Sequence, residues 1–188
     1  AIVAPRPIGW ISSIDLQGRV NLAPYSFFNA FVENPPVIGF CTSGERKDSV
    51  NNIDATGEFV ANFCGADLAQ EMNITSASLA PGEDEMKLAG LKAAPSKMVK
   101  VPRVAKAIAA LECKLIYTLQ LSNAKGEKIN SWLTLGEVVG VHIDDQYLKD
   151  GIFDTAAARP LGRCGYRGDY VEVNKLFEMI RPKEYVAK

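Results

Sequence analysis

Residues 108–121, IAALECKLIYTLQL, and 129–144, INSWLTLGEVVGVHID, are two long β-prone runs separated only by the polar turn SNAKGEK. So short a connection folds the second run back on the first, and the chain must contain a long antiparallel hairpin. The beginning of the chain repeats the pattern. PIGWISSID ends at Asp15-Leu16-Gln17-Gly18, where Asp and Gly supply turn chemistry, and RVNLAPYSFFNAFV follows as its partner. After the Asn34-Pro35-Pro36 break, VIGFCT reads as a short apolar strand, and FVANFCG as another. Between them a polar loop runs into a helix that Asp48 or Ser49 caps and Gly57 ends. A second helix is expected from about Asp67 to Ser76, and a third short one at NKLFEMI near the end.

Strands that mostly neighbour each other in sequence, with few and short helices, predict a mainly β fold. The expected architecture is a barrel of antiparallel strands with short peripheral helices, not an alternating βαβ sheet. No repeat or low-complexity linker divides the chain, so residues 1–188 are expected to form a single domain. Its irregular excursion, at about 77–106, is either a lid over a binding cleft or a surface insertion.

Charge narrows the partners. The 21 Lys and Arg nearly balance the 22 Asp and Glu, giving a formal net charge of -1, so no global field draws the chain to nucleic acid or to an anionic membrane. Any anion must be held locally. No apolar run approaches the roughly 20 residues of a membrane helix. Cys41, Cys64, Cys113 and Cys164 are scattered without a C-x-x-C pair, which predicts reduced thiols and a cytoplasmic protein. With His142 as the one histidine, no metal site is expected.

Two stretches carry candidate chemistry. In NLAPYSFFN, Pro24 has no N–H for a strand ladder, so the backbone is expected to bulge and to turn the amides of Tyr25 and Ser26 away from pairing. A flavin ring edge, with its carbonyl oxygens and ring nitrogens, would accept them. The other reading is a plain edge-strand proline backed by a buried aromatic run. In TSGERKDS, the hydroxyls of Thr42, Ser43 and Ser49 and the cations Arg46 and Lys47 precede the N-terminus of a helix, a phosphate-sized site. The other reading is a solvated charged loop before a capped helix. Neither a Walker loop nor G-x-G-x-x-G is present.

The ordered set PRPIGWISSIDLQG, NLAPYSFFN, NPPVIGF, RKDSVNNI and GEFVANF, with GEVVGVHID and RPLGRCGYRGDYVEV later, resembles the flavin reductase-like family of FMN-binding split β-barrels, in particular its flavoredoxin-like branch. The resemblance implies a homodimer with FMN in a groove at or near the subunit interface. It implies that Ala23, Pro24, Tyr25 and Ser26 lie along the isoalloxazine edge, with Ser12 and Ser13 on the neighbouring strand and Asn29 at the far end. Arg46, Lys47, Asp48 and Ser49 would fall at the phosphate, with Thr42 and Ser43 nearby. Asp48 is an awkward phosphate neighbour by charge, so its side chain is expected to cap the helix while its amide faces the ligand. Arg163 and Tyr166, in GRCGYRG, would reach the ligand from the tail of one subunit or the other. His142 would either contact a nicotinamide or an acceptor, or serve only structure.

The activity implied is an NAD(P)H-dependent FMN oxidoreductase, because hydride transfer is the cofactor's chemistry and asks little acid-base help from the protein. The alternative is an FMN-bearing electron carrier reduced by a partner protein. A third reading, a haem or other ligand in the same barrel, would lean on His142 as axial ligand.

Overall fold

The computed structural model describes residues 1–79, 83–180 and 182. β1 (Arg6–Pro7) leads into β2 (Gly9–Ile14), β3 (Val20–Tyr25), β4 (Phe28–Glu33) and β5 (Pro36–Ser43). Helix α1 (Asp48–Thr56) follows, then β6 (Glu58–Asn62), a 3-10 turn at Ala66–Leu68, α2 (Ala69–Ile74) and α3 (Glu85–Leu88). The short strands β7 (Ala93–Ala94) and β8 (Arg103–Val104) precede the long hairpin of β9 (Ala109–Ser122) and β10 (Lys128–Ile143). The tail holds β11 (Leu148–Lys149), β12 (Ile152–Phe153), α4 (Thr155–Ala158), β13 (Leu161–Arg163) and β14 (Tyr170–Glu172). Residues 174–180 carry no regular structure, so the helix expected at NKLFEMI does not form; its apolar side chains Leu176, Phe177, Met179 and Ile180 are exposed, without the packing that stabilises so short a helix.

Seven strands make the main sheet, in the order β3-β2-β6-β9-β10-β5-β4, and every pairing is antiparallel. Its two outer strands, β3 and β4, are consecutive in the chain and joined only through Ser26 and Phe27. Three Cα steps reach about 11 Å at most, so the two edges must come close, and the sheet curls into a barrel left split between them. Register shifts in the β9–β10 pair and in β4 add the local bends that curvature needs.

The strand break does not fall where the sequence suggested. β2 and β3 pair without a register shift from Gly9 opposite Tyr25 to Ile14 opposite Val20, with Pro24 inside the ladder opposite Trp10. No bulge forms at Pro24. The reason is its place on an edge strand: the Leu22 amide points away from β2 and donates to Glu85 Oε2 at 3.0 Å. By strand alternation Pro24 shares that outward row, so its missing N–H costs the ladder nothing. The same alternation sends the Tyr25 amide inward to β2. Only Ser26, at the bend that follows, is left to turn its amide elsewhere.

The core is continuous with this geometry. Ile11, Phe40, Ile53, Phe59 and Cys113 pack inside the curl, and Trp10, Leu22, Met72, Met86 and Leu91 fill the other side of β2 and β3. Gly136 is required by close approach: a Cβ there would lie 2.4 Å from Phe59 Cε1. Within the excursion, the described residues are clamped down. Met86, Leu91, Val99, Val101 and Val104 are buried. The Glu112 carboxylate accepts the amides of Lys97 at 2.8 Å, Met98 at 2.6 Å and Val99 at 3.0 Å. Pro102 O accepts the Ser12 hydroxyl at 2.7 Å, and the Val104 amide donates to Asn62 Oδ1 at 2.7 Å.

Candidate functional site

The free edge of β3 and the start of α1 face each other across a cavity of about 380 Å³. Asn21, Ala23, Pro24 and Tyr25 form one wall, Glu45 to Ser49 the second, and Thr75 to Leu79 with Glu85 the third. Parts of both stretches singled out in the sequence therefore meet in one place, but Thr42 and Ser43 are not among the lining residues.

Helix α1 opens this site because nothing of its own closes it. Its N-cap residue is Lys47, in extended conformation, and no side chain caps the helix. Asp48 is the first helical residue and not the cap that the sequence suggested; the extended backbone continues one residue further, through Lys47. The Val50 and Asn51 amides both turn back to Lys47 O, at 3.0 and 3.1 Å, leaving the amides of Asp48 and Ser49 for another acceptor. Ser49 Oγ accepts from Asn21 Nδ2 at 2.8 Å and from the Tyr25 hydroxyl at 2.9 Å. With both lone pairs taken, its hydroxyl proton remains to be donated. These groups suit an anion.

The cations differ in freedom. Arg46 pairs with Asp54, donates to Asn51 Oδ1 at 2.8 Å and lies 5.7 Å from the Trp132 ring centroid. Lys47 has no ion pair among the described residues. Thr42 is buried on β5 and its Oγ1 has no hydrogen-bond partner among the described residues, while Ser43 is exposed at the strand end opposite Ser131. Tyr25 stacks tilted on Phe40 with ring centroids 4.7 Å apart. Burial pushes its phenol up to about 12, the Ser49 hydrogen bond works against this, and the charges of Glu85 and Asp48 add to it.

Other expected residues stand apart from this cavity. Ser12 and Ser13 are fully buried behind β3; Ser12 accepts from Asn62 Nδ2 at 3.2 Å and Ser13 from Asn52 Nδ2 at 3.2 Å, so both serve the interior. Ser26 and Asn29 line a neighbouring hollow with Arg6 and Phe28, just past the end of β3. Arg163 donates to the Tyr170 hydroxyl at 2.8 Å, and Tyr166 is exposed in the tail. His142 bonds through Nε2 to the buried Glu112, which makes it a brace for the 97–99 loop and leaves it off the cavity. A second cavity, of about 350 Å³ and apolar, lies among Ile8, Phe28, Phe63, Phe153 and Leu161 and holds none of the expected residues.

Sequence reasoning missed Asn21, Glu85 and the Thr75 to Leu79 wall. Asn21 had a signal, since it shares a strand face with Ala23 and Tyr25. Glu85 had none, because only the folded excursion brings it to β3.

The fold is a split antiparallel barrel with a cavity at a helix N-terminus, and known sequences place it in a family. The profile of the Flavin reductase like domain matches residues 3–162, and the chain belongs to that family. An uncharacterized protein of Deinococcus radiodurans is 37% identical over 96% of this chain and 82% of its own length. Among solved structures, nitrilotriacetate monooxygenase component B from Bacillus cereus superposes with a TM-score of 0.87 at 31% identity, over 94% of this chain and 88% of its own. Flavoredoxin of Desulfovibrio vulgaris, at 20% identity, shares the fold with a TM-score of 0.82 over 94% of this chain and 91% of its own.

Proposed function

We propose that the protein is an FMN-binding oxidoreductase that takes electrons from NADH or NADPH and passes them to free flavin or another acceptor. The observation that carries the reading is the uncapped start of α1, opening on a cavity bounded by the free edge of β3. Its donor set fits a phosphomonoester: the amides of Asp48 and Ser49, the Ser49 hydroxyl, the Lys47 ammonium and the open donors of Arg46. A terminal phosphate carries about -1.5 to -2 charges at neutral pH, matching two cations and a helix dipole. FMN, once bound, supplies hydride acceptance and release. The chain's part is to hold the phosphate, to offer Ser26 and the edge of β3 to the ring, and to keep water from one side with the Thr75 to Leu79 wall.

Exposed apolar side chains on β4 (Phe31, Val32) and on the β9–β10 hairpin (Ile116, Tyr117, Leu119) support pairing of two copies through this side of the sheet. Four free thiols support a reducing compartment such as the cytoplasm.

An anaerobic absorption spectrum of the flavin-reconstituted protein tests the activity. Rapid bleaching by NADH or NADPH is expected, with light scattering of the same sample reading two copies. Bleaching by dithionite alone would replace the reductase reading with an electron carrier served by a protein donor, and a mass of one copy would remove the dimer.

A further inference from the structure

Glu85 lines the cavity, yet the reading above gives it no task. It is only 9% exposed, and its carboxylate takes the Leu22 amide at the free edge of β3. Tying α3 to that edge requires an acceptor but not a charge, and a glutamine would serve. The charge is therefore the feature that needs a reason, since burying an ion next to a site for anions works against both.

Its surroundings do little to neutralise it. Asp48 faces it from α1, Tyr25 from β3, and Asp84 from the start of its own helix. The one cation on α3, Lys87, is committed to Asp84 at 3.1 Å. Arg46 and Lys47 lie on the cavity's other wall. Burial first, opposed by the Leu22 amide and reinforced by Asp48 and Asp84, raises the Glu85 carboxyl from its ordinary value.

We infer that Glu85 sets the charge this cavity accepts: ionised, it repels a bound phosphomonoester and loosens it, and protonated, it lets the anion stay. The inference rests on the phosphate reading above. By linkage the effect is reciprocal, so a bound dianion draws a proton onto Glu85 and affinity for the anion falls as pH rises through its titration.

The test compares dissociation constants of FMN and riboflavin for the intact protein and for Glu85→Gln, from about pH 5 to about pH 8. Glutamine keeps an acceptor for Leu22 and removes only the charge. FMN is expected to bind Glu85→Gln about 3- to 10-fold more tightly at the alkaline end, with the difference closing as pH falls. Riboflavin, which has no phosphate, should bind both proteins alike, and this also checks that the cavity survives the substitution. Equal FMN affinity and equal pH dependence in the two proteins, with FMN still preferred over riboflavin, would overturn the Glu85 inference alone. Riboflavin binding as tightly as FMN in the unsubstituted protein would overturn the phosphate reading and this inference with it.

Discussion

Replacing Arg46 and Lys47 together by alanine is expected to weaken FMN binding by about 3 kcal/mol, roughly 100-fold, while riboflavin binding changes little. The magnitude follows from two hydrogen bonds to a charged group at about 1.5–3 kcal/mol each, taken at the low end because both side chains are exposed. The share is unequal. Arg46 already spends donors on Asp54 and Asn51, so Lys47→Ala alone should account for more of the loss than Arg46→Ala. Arg46→Ala would also release Asp54 near the helix. Fluorescence quenching of the free flavin measures all three variants, and undiminished FMN affinity in the double variant would contradict the phosphate assignment.

Glu112→Ala is expected to cost about 3–5 kcal/mol of folding stability, read by chemical denaturation. It removes at once the acceptor of the Lys97, Met98 and Val99 amides and the partner of His142. The Val99 amide would be left buried without an acceptor, whereas Lys97 and Met98 are exposed residues whose amides can turn to water. A pH signature accompanies the loss. Burial works to raise the Glu112 carboxyl, but the Lys97 amide, His142 and the Met98 and Val99 amides together outweigh it and hold it below its ordinary value. The unfolded chain therefore takes up this proton first as pH falls. The stabilisation is complete above the unfolded carboxylate value, about 4.3, and is lost as pH drops through the lower folded value. Glu112→Ala should flatten that acid limb; an equally steep limb in the variant would place the acid sensitivity elsewhere.

How much of this was legible in the sequence depends on the range of the forces involved. The β9–β10 hairpin and helix α1 up to Gly57 were readable because they rest on local turn chemistry and periodicity, and Gly57 does sit at a φ of 74° as a helix terminator. Pro24 was read as a bulge because the sequence does not say which strand is an edge; on an edge, a proline in the outward row disturbs nothing. Arg46, Lys47 and Ser49 line one cavity with the edge of β3. Ser12 and Ser13 did not reach the cavity, since both are buried and spent on Asn62, Pro102 and Asn52. The excursion hid the most. Its contacts are long-range and backbone-directed, with Glu112 gripping three amides and Glu85 gripping one, and such pairings leave no periodic trace.

The proposed site for FMN lies between the start of α1 and the end of β3. Amide resonances of the isotopically labelled protein, followed during an FMN titration, test it most directly. The largest shifts should fall on Lys47, Asp48, Ser49 and Ser26, and inorganic phosphate alone should move the first three. Shifts confined to residues around the second, apolar cavity, such as Phe63, Ala110 and Val141, with α1 unmoved, would contradict it.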